Sequence, residues 1–142
     1  MSETSKYEPL FSEGMKVRRR VLGDAYVDSA VGPVDPMTQA FQPFMVSYCW
    51  GEIWTDDTLP PTTRSMLVVA MTAALNRLEE LEIHTRGALR NGVSPEELLA
   101  VLKQVTVYCG VPAGVGALKV MRRMIAEFEE SGTTAEPSEQ TA

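Results

Sequence analysis

The chain has 142 residues, 44% of them apolar, the size of one domain able to bury a core without metal or disulfide support. Acidic residues outnumber basic ones 19 to 13, and the basic residues are scattered apart from Lys16 to Arg20, so the sequence offers no broad electropositive face for nucleic acid. Arg18 to Arg20 is read as a solvated helix face. Met1 to Lys6 lack the apolar stretch of a secretory signal, and no run is long and charge-free enough to span a bilayer, so a cytoplasmic protein without a membrane partner is expected. Cys49 and Cys109 stand too far apart in sequence for a Cys-x-x-Cys pair and too few for a zinc site or a disulfide framework, and both are expected to be buried free thiols.

Residues 1–6 read as a flexible start, 7–130 as one helical domain and 131–142 as a disordered tail poor in large apolar residues. Apolar spacing is helical throughout, without strand alternation. A first helix is predicted from Tyr7 to Leu22, stopped by Gly23-Asp24 and followed by a loop through Gly32-Pro33 and Asp35-Pro36. Met37 to Trp54 reads as a second helix carrying Phe41, Phe44, Tyr48, Trp50 and Trp54, so apolar all round that it belongs at the centre or at a subunit interface. Leu59-Pro60-Pro61 breaks the pattern before a buried third helix from Thr62 to Leu75. After Asn76, a charged fourth helix runs from Arg77 to Arg90 and ends at Asn91-Gly92, residue types that tolerate a left-handed cap. Ser94-Pro95-Glu96-Glu97 has the form of a capping box, opening a fifth helix that reaches Cys109. Gly110 ends it, and a sixth runs from Pro112 to Glu130. Met66, Met71, Met121 and Met124 are read as core filler, and the glycines from Gly110 to Gly116 as a turn, since a phosphate loop needs a preceding strand and a lysine.

His84 is the sole histidine. It follows Glu80 by four residues and Arg77 by seven, so one continuous helix would place a guanidinium, a carboxylate and an imidazole on one face. Such a row can bind an anion and transfer a proton, with the carboxylate orienting the imidazole or raising its pKa. On spacing alone an ordinary solvated face accounts for the row better than a site does. The apolar third helix before it and the capped fifth helix after it favour a cavity along part of this helix. Glu52, set between Trp50 and Trp54, is either a functional carboxylate among aromatics or an exposed last turn.

The stretches Gly14-Met-Lys-Val-Arg-Arg, Val21-Leu-Gly-Asp, Trp50-Gly-Glu-Ile-Trp, Thr63-Arg-Ser, Ala74-Leu-Asn-Arg, Glu79-Glu-Leu-Glu-Ile-His, Asn91-Gly-Val and Tyr108-Cys-Gly-Val-Pro-Ala, in this order over about residues 14 to 113, resemble the carboxymuconolactone decarboxylase family, in its 4-carboxymuconolactone branch. The resemblance implies an all-α, six-helix, alkylhydroperoxidase-like fold and a homotrimer or homohexamer. It also implies cofactor-independent and metal-free decarboxylation of a small carboxylated lactone, 4-carboxymuconolactone, to the β-ketoadipate enol-lactone in aromatic catabolism. The peroxidase members of the wider group carry Cys-x-x-Cys-x-x-x-His, which falls on Arg77, Glu80 and His84, so thiol peroxidase chemistry is excluded for want of both sulfurs.

The substrate supplies its own electron sink, because the departing carboxylate is joined through a carbon–carbon double bond to the lactone carbonyl and leaves a dienolate. The protein then has to hold carboxylates, stabilise an oxyanion and return a proton to carbon. The resemblance implies for His84 the proton transfer or an oxyanion donor role, for Arg77 the carboxylate or enolate clamp and for Glu80 the orientation of His84, with Glu52, Trp50, Tyr48, Arg64 and Tyr108 as substrate-binding residues. Tyr26, Ser47 and Val115 stand where the family has histidine, arginine and asparagine, which makes the pocket less cationic. Two alternatives stay open: a related lyase or isomerase acting through an enolate on a less charged lactone or acid, and a non-catalytic oligomeric binding protein.

Overall fold

The computed structural model describes residues 6–30, 32 and 35–132. Its regular elements are all helices: α1 (Leu10–Leu22), α2 (Asp24–Ala30), α3 (Pro36–Met45), a π-helical segment (Val46–Ile53), α4 (Pro61–Ala74), α5 (Leu78–Arg90), α6 (Pro95–Cys109) and α7 (Val111–Gly132). The all-α expectation holds, but among the described residues there are seven α-helices and a π segment where six helices were expected. Gly23, at φ 87°, does end α1, yet Asp24 begins a further helix in place of the expected loop. Arg19 braces that corner, donating to Asp24 at 3.0 Å and to Asp28 at 2.9 Å. The expected single helix from Met37 to Trp54 widens after Met45, where Trp54 N–H reaches back five residues to Cys49 O at 3.2 Å. Residues 1–5 and 133–142, which carry most of the expected loose ends, lie outside the described residues, while Ser131 and Gly132 belong to α7.

Local chemistry explains most of the other boundaries. Asp35 accepts from Thr38 N–H at 2.9 Å and caps α3, with Pro36 in its first turn. At the end of α4, Asn76 takes the left-handed conformation (φ 56°), and the bonds Asn76 N–H to Ala73 O and Arg77 N–H to Thr72 O close a Schellman motif. Gly92 does the same after α5, through Gly92 N–H to Leu89 O and Val93 N–H to Ala88 O. Ser94 and Glu97 form the reciprocal capping box at the start of α6.

The helices enclose two cores that meet at α5. One joins α4, α5, α6 and α7 through Val69, Leu81, Ala88, Leu98, Val105, Ala117 and Met124. The other joins α1, α2 and the π segment through Val17, Val21, Val27, Val46, Trp50 and Trp54, with Ile83 of α5 packed against it. Leu81 and Ala88 thus face one core while Ile83 faces the other, so side chains on α5 between these two faces lie at their junction. The second core depends on backbones in contact. A Cβ added at Gly14 of α1 would lie 2.7 Å from Gly51 N and 2.9 Å from Val46 O, and one at Gly51 would meet Leu10 O.

Two packing expectations need correction. Cys109 is exposed at the end of α6 and Cys49 is half-buried, so neither is fully buried, although both are free thiols. Met121 and Met124 are core residues, whereas Met71 is exposed on the outer face of α4, a helix whose buried residues are Ser65, Val69 and Ala73.

Candidate active site

His84 lies in the middle of α5, where its ring stacks on Trp50 with centroids 6.2 Å apart and planes 14° from parallel. Trp50 in turn stacks on Trp54 at 5.0 Å. Both tryptophans are buried, so the imidazole rests on a rigid apolar wall. Burial pushes the His84 pKa down to about 4, and Glu80, one turn earlier on the helix, pulls weakly the other way. The resting imidazole is therefore neutral at physiological pH, with one nitrogen to donate and one to accept.

Arg77 opens this helix, its carbonyl accepting the first intrahelical bond from Leu81 N–H at 2.9 Å. Asn76 breaks the chain, Arg77 takes the N-cap position at φ −93° and ψ 76°, and α5 starts at Leu78. The expected break at Asn76 and new start at Arg77 are both present, with Asn76 in the left-handed conformation just before the N-cap. Glu80 is exposed in the first turn of α5, close enough to His84 to act on it through space. Of the expected row, His84 and Glu80 share the helix, and Arg77 stands at its entrance.

The other expected residues scatter. Glu52 is exposed on the π segment. Tyr48, 68% exposed, stacks on Phe44 at 5.7 Å, and Tyr108, 78% exposed, lies near the end of α6. Arg64 is turned to the loop before α4, donating from Nε and Nη2 to the Asp56 carbonyl at 3.2 and 2.9 Å, with the Asp56 carboxylate 3.5 Å away. Of the five expected substrate-binding residues, Trp50 is the one whose ring stacks on His84.

Arg18 was read as part of a solvated run, and the structure places it in the interior, 5% exposed. The buried positions of α1 are Gly14, Val17, Arg18, Val21 and Leu22, a helical stripe that takes in Arg18 and leaves Arg20 outside. Arg18 Nη1 donates to Gln42 Oε1 at 3.3 Å, and its Nε has no hydrogen-bond partner. Burial lowers its pKa, the neighbouring Tyr26 and Cys49 oppose that, and Arg19 adds to it. In return, burial raises the Cys49 thiol pKa and Arg18 lowers it. The signal available in the sequence was the placement of Arg18 one residue after Val17 and three before Val21, on the apolar stripe.

A family model described as the carboxymuconolactone decarboxylase family matches residues 39–123. The chain is 34% identical over 128 residues to a nitrosuccinic acid decarboxylase of Metarhizium robertsii, covering 90% of each protein. It is 33% identical over 121 residues to a 4-carboxymuconolactone decarboxylase of Acinetobacter baylyi, covering 85% of this chain and 90% of the relative. The chain belongs to the carboxymuconolactone decarboxylase family. The family match spans the π segment with Trp50 and the α5 helix with Glu80 and His84, and it begins after α1 with Arg18. In this member of the carboxymuconolactone decarboxylase family, the neutral imidazole on Trp50 and the buried guanidinium of α1 both sit against the stretch that runs from α3 into the π segment.

Proposed function

We propose that the chain is a cofactor-independent carboxy-lyase acting on a small di-acid, with 4-carboxymuconolactone as the first substrate to test and decarboxylation through a dienolate as the route. The observation that carries this reading is His84, held neutral on a tryptophan wall in a chain that resembles two decarboxylases over most of its length. Loss of CO2 leaves an electron pair that passes through the double bond to the lactone carbonyl oxygen, and one proton must then be added at the carbon next to that carbonyl. A di-anion bound beside His84 favours the charged imidazole, so substrate binding raises its pKa and loads the proton that carbon receives. Glu80 helps in the same direction, and Arg77 at the start of α5 adds long-range attraction for the di-anion.

Nitrosuccinic acid is a second reading, supported by the relative of nearly equal identity. There the nitro group replaces the unsaturated carbonyl as electron sink, and a nitronate replaces the dienolate. In both substrates one carboxylate is joined to the acceptor and the other is not, so the demands on the protein are alike. Tyr48 and Tyr108, exposed in one protomer, are assigned to contacts between subunits of a homotrimer or homohexamer.

The test is turnover by the purified protein, followed as substrate absorbance and CO2 release, with 4-carboxymuconolactone and nitrosuccinic acid in parallel. Conversion of either is expected, with His84→Gln at least about 100-fold slower, the range for loss of a positioned proton-transfer group. A folded, assembled protein that converts neither, or a His84→Gln variant with full activity, rejects the reading.

A further inference from the structure

We infer that Arg18 forms a buried carboxylate subsite, at the junction of α1 with the stretch from Gln42 to Cys49, which holds the carboxylate that the reaction leaves in place. The inference rests on the di-acid reading above and names the group that makes a di-acid the preferred ligand. Among the described residues, four of the other arginines pair with acids: Arg19 with Asp24 and Asp28, Arg64 with Asp56, Arg86 with Glu127 and Arg123 with Glu82. The most deeply buried one finds only a neutral amide. Its Nη1 is engaged by Gln42, while Nε donates to nothing. The edge that carries this unpartnered Nε is one of those by which a guanidinium grips a carboxylate through two parallel hydrogen bonds.

A second buried group points the same way. Ser47 Oγ, on the π segment against which α1 packs, is 3% exposed and also lacks a hydrogen-bond partner. A buried cation without a counterion and a buried hydroxyl without a partner are both costly for folding, and an anion received between the two elements would satisfy both. Tyr26 and Cys49, which interact electrostatically with the guanidinium, are half-buried.

The chemistry decides which carboxylate goes there. A bidentate ion pair stabilises a carboxylate in the ground state, and a group that must become neutral CO2 loses that stabilisation on the way to the transition state. The departing carboxylate is better left against an apolar wall such as Trp50, and the guanidinium suits the carboxylate that keeps its charge.

The test uses succinate, a di-acid that cannot react, and butyrate, which has the same chain with one carboxylate, each titrated calorimetrically into the intact wild-type protein and into Arg18→Met and Arg18→Lys. The expected result is that wild type binds succinate about 10- to 100-fold more tightly than butyrate, the worth of a charge-assisted bidentate contact. Arg18→Met should bind the two alike. Its melting temperature should equal or exceed that of wild type, because an apolar side chain replaces an uncompensated buried charge. Arg18→Lys keeps the charge but not the fork, and should lose most of the preference if Arg18→Met fails to fold. Equal binding of succinate and butyrate by wild type, or an Arg18→Lys variant with unchanged preference, overturns the inference. Because neither probe turns over, this outcome is independent of whether the protein decarboxylates 4-carboxymuconolactone or nitrosuccinic acid.

Discussion

His84 in the folded protein titrates near 4, while in the unfolded chain it keeps its ordinary value of 6.5, and the difference fixes the sign of its effect on stability. Between these values the unfolded chain takes up the proton first. The stability contributed by the neutral ring is therefore complete above pH 6.5 and is lost as pH falls toward 4, on the order of 3 kcal/mol in all. Asp35 and Asp56, whose carboxylates are held below their ordinary value by hydrogen bonds from Thr38 and Thr58, lose their contribution at still lower pH, outside this window. Urea unfolding at pH 7 and pH 4.5 should show wild type losing clearly more stability than His84→Gln. Equal losses would mean that the imidazole is not held neutral by its site. The same burial makes the ring responsive to a bound anion, so a decarboxylation rate governed by the complex should depend on a higher pKa than binding to the free protein does.

At the scale of elements, the crossing of α1 over the π segment controls where Arg18 and Trp50 stand. Gly14 sits in mid-helix, where alanine is intrinsically preferred by about 1 kcal/mol. Its missing side chain lets the α1 backbone touch Gly51 and Val46, and any Cβ there forces the elements apart. Gly14→Ala is expected to destabilise by about 1–3 kcal/mol in urea unfolding, in spite of the propensity gain, and to weaken succinate binding as Arg18 shifts. A more stable Gly14→Ala protein would show that the crossing is looser than described. The capping box at Ser94 and the left-handed Gly92 were legible in the sequence because each is built from neighbours within a few residues. The widening at Val46–Ile53 was not, since the apolar pattern of Met37 to Trp54 fits an α-helix and the π geometry answers to contacts with α1.

The whole molecule leaves apolar surface that one protomer does not cover. Met37, Phe41, Phe44 and Tyr48 form an exposed stripe along α3 and the π segment, with Phe44 ringed by Phe41 and Tyr48. Val107 and Val115 line an apolar groove of about 400 Å³ between α6 and α7, with Leu102 and Leu118. Patches of this kind mark contact surfaces, and no helix among the described residues is long and apolar enough to cross a membrane. Light scattering on the purified protein should give a mass of three or six chains, and Phe41→Lys should shift it toward smaller species. A wild-type monomer at micromolar concentration would reject the proposed assembly.

The sequence by itself determined the helical class, most of the helix ends and the family, because apolar period, capping residues and ordered motifs are local or pairwise properties of the chain. It also singled out His84, whose rarity and position in a charged helix were visible without coordinates. Only the tertiary structure decided which charges are interior. Arg18 and Arg20 are the same residue type in one run, and what separates them is the face of α1 that meets the π segment. In the segment from Arg77 to His84 the structure sets Arg77 at the N-cap of α5 and stacks the imidazole on Trp50, a residue of another element. Burial, unlike helical period, is set by what other elements bring to a surface, and no window of sequence contains that information.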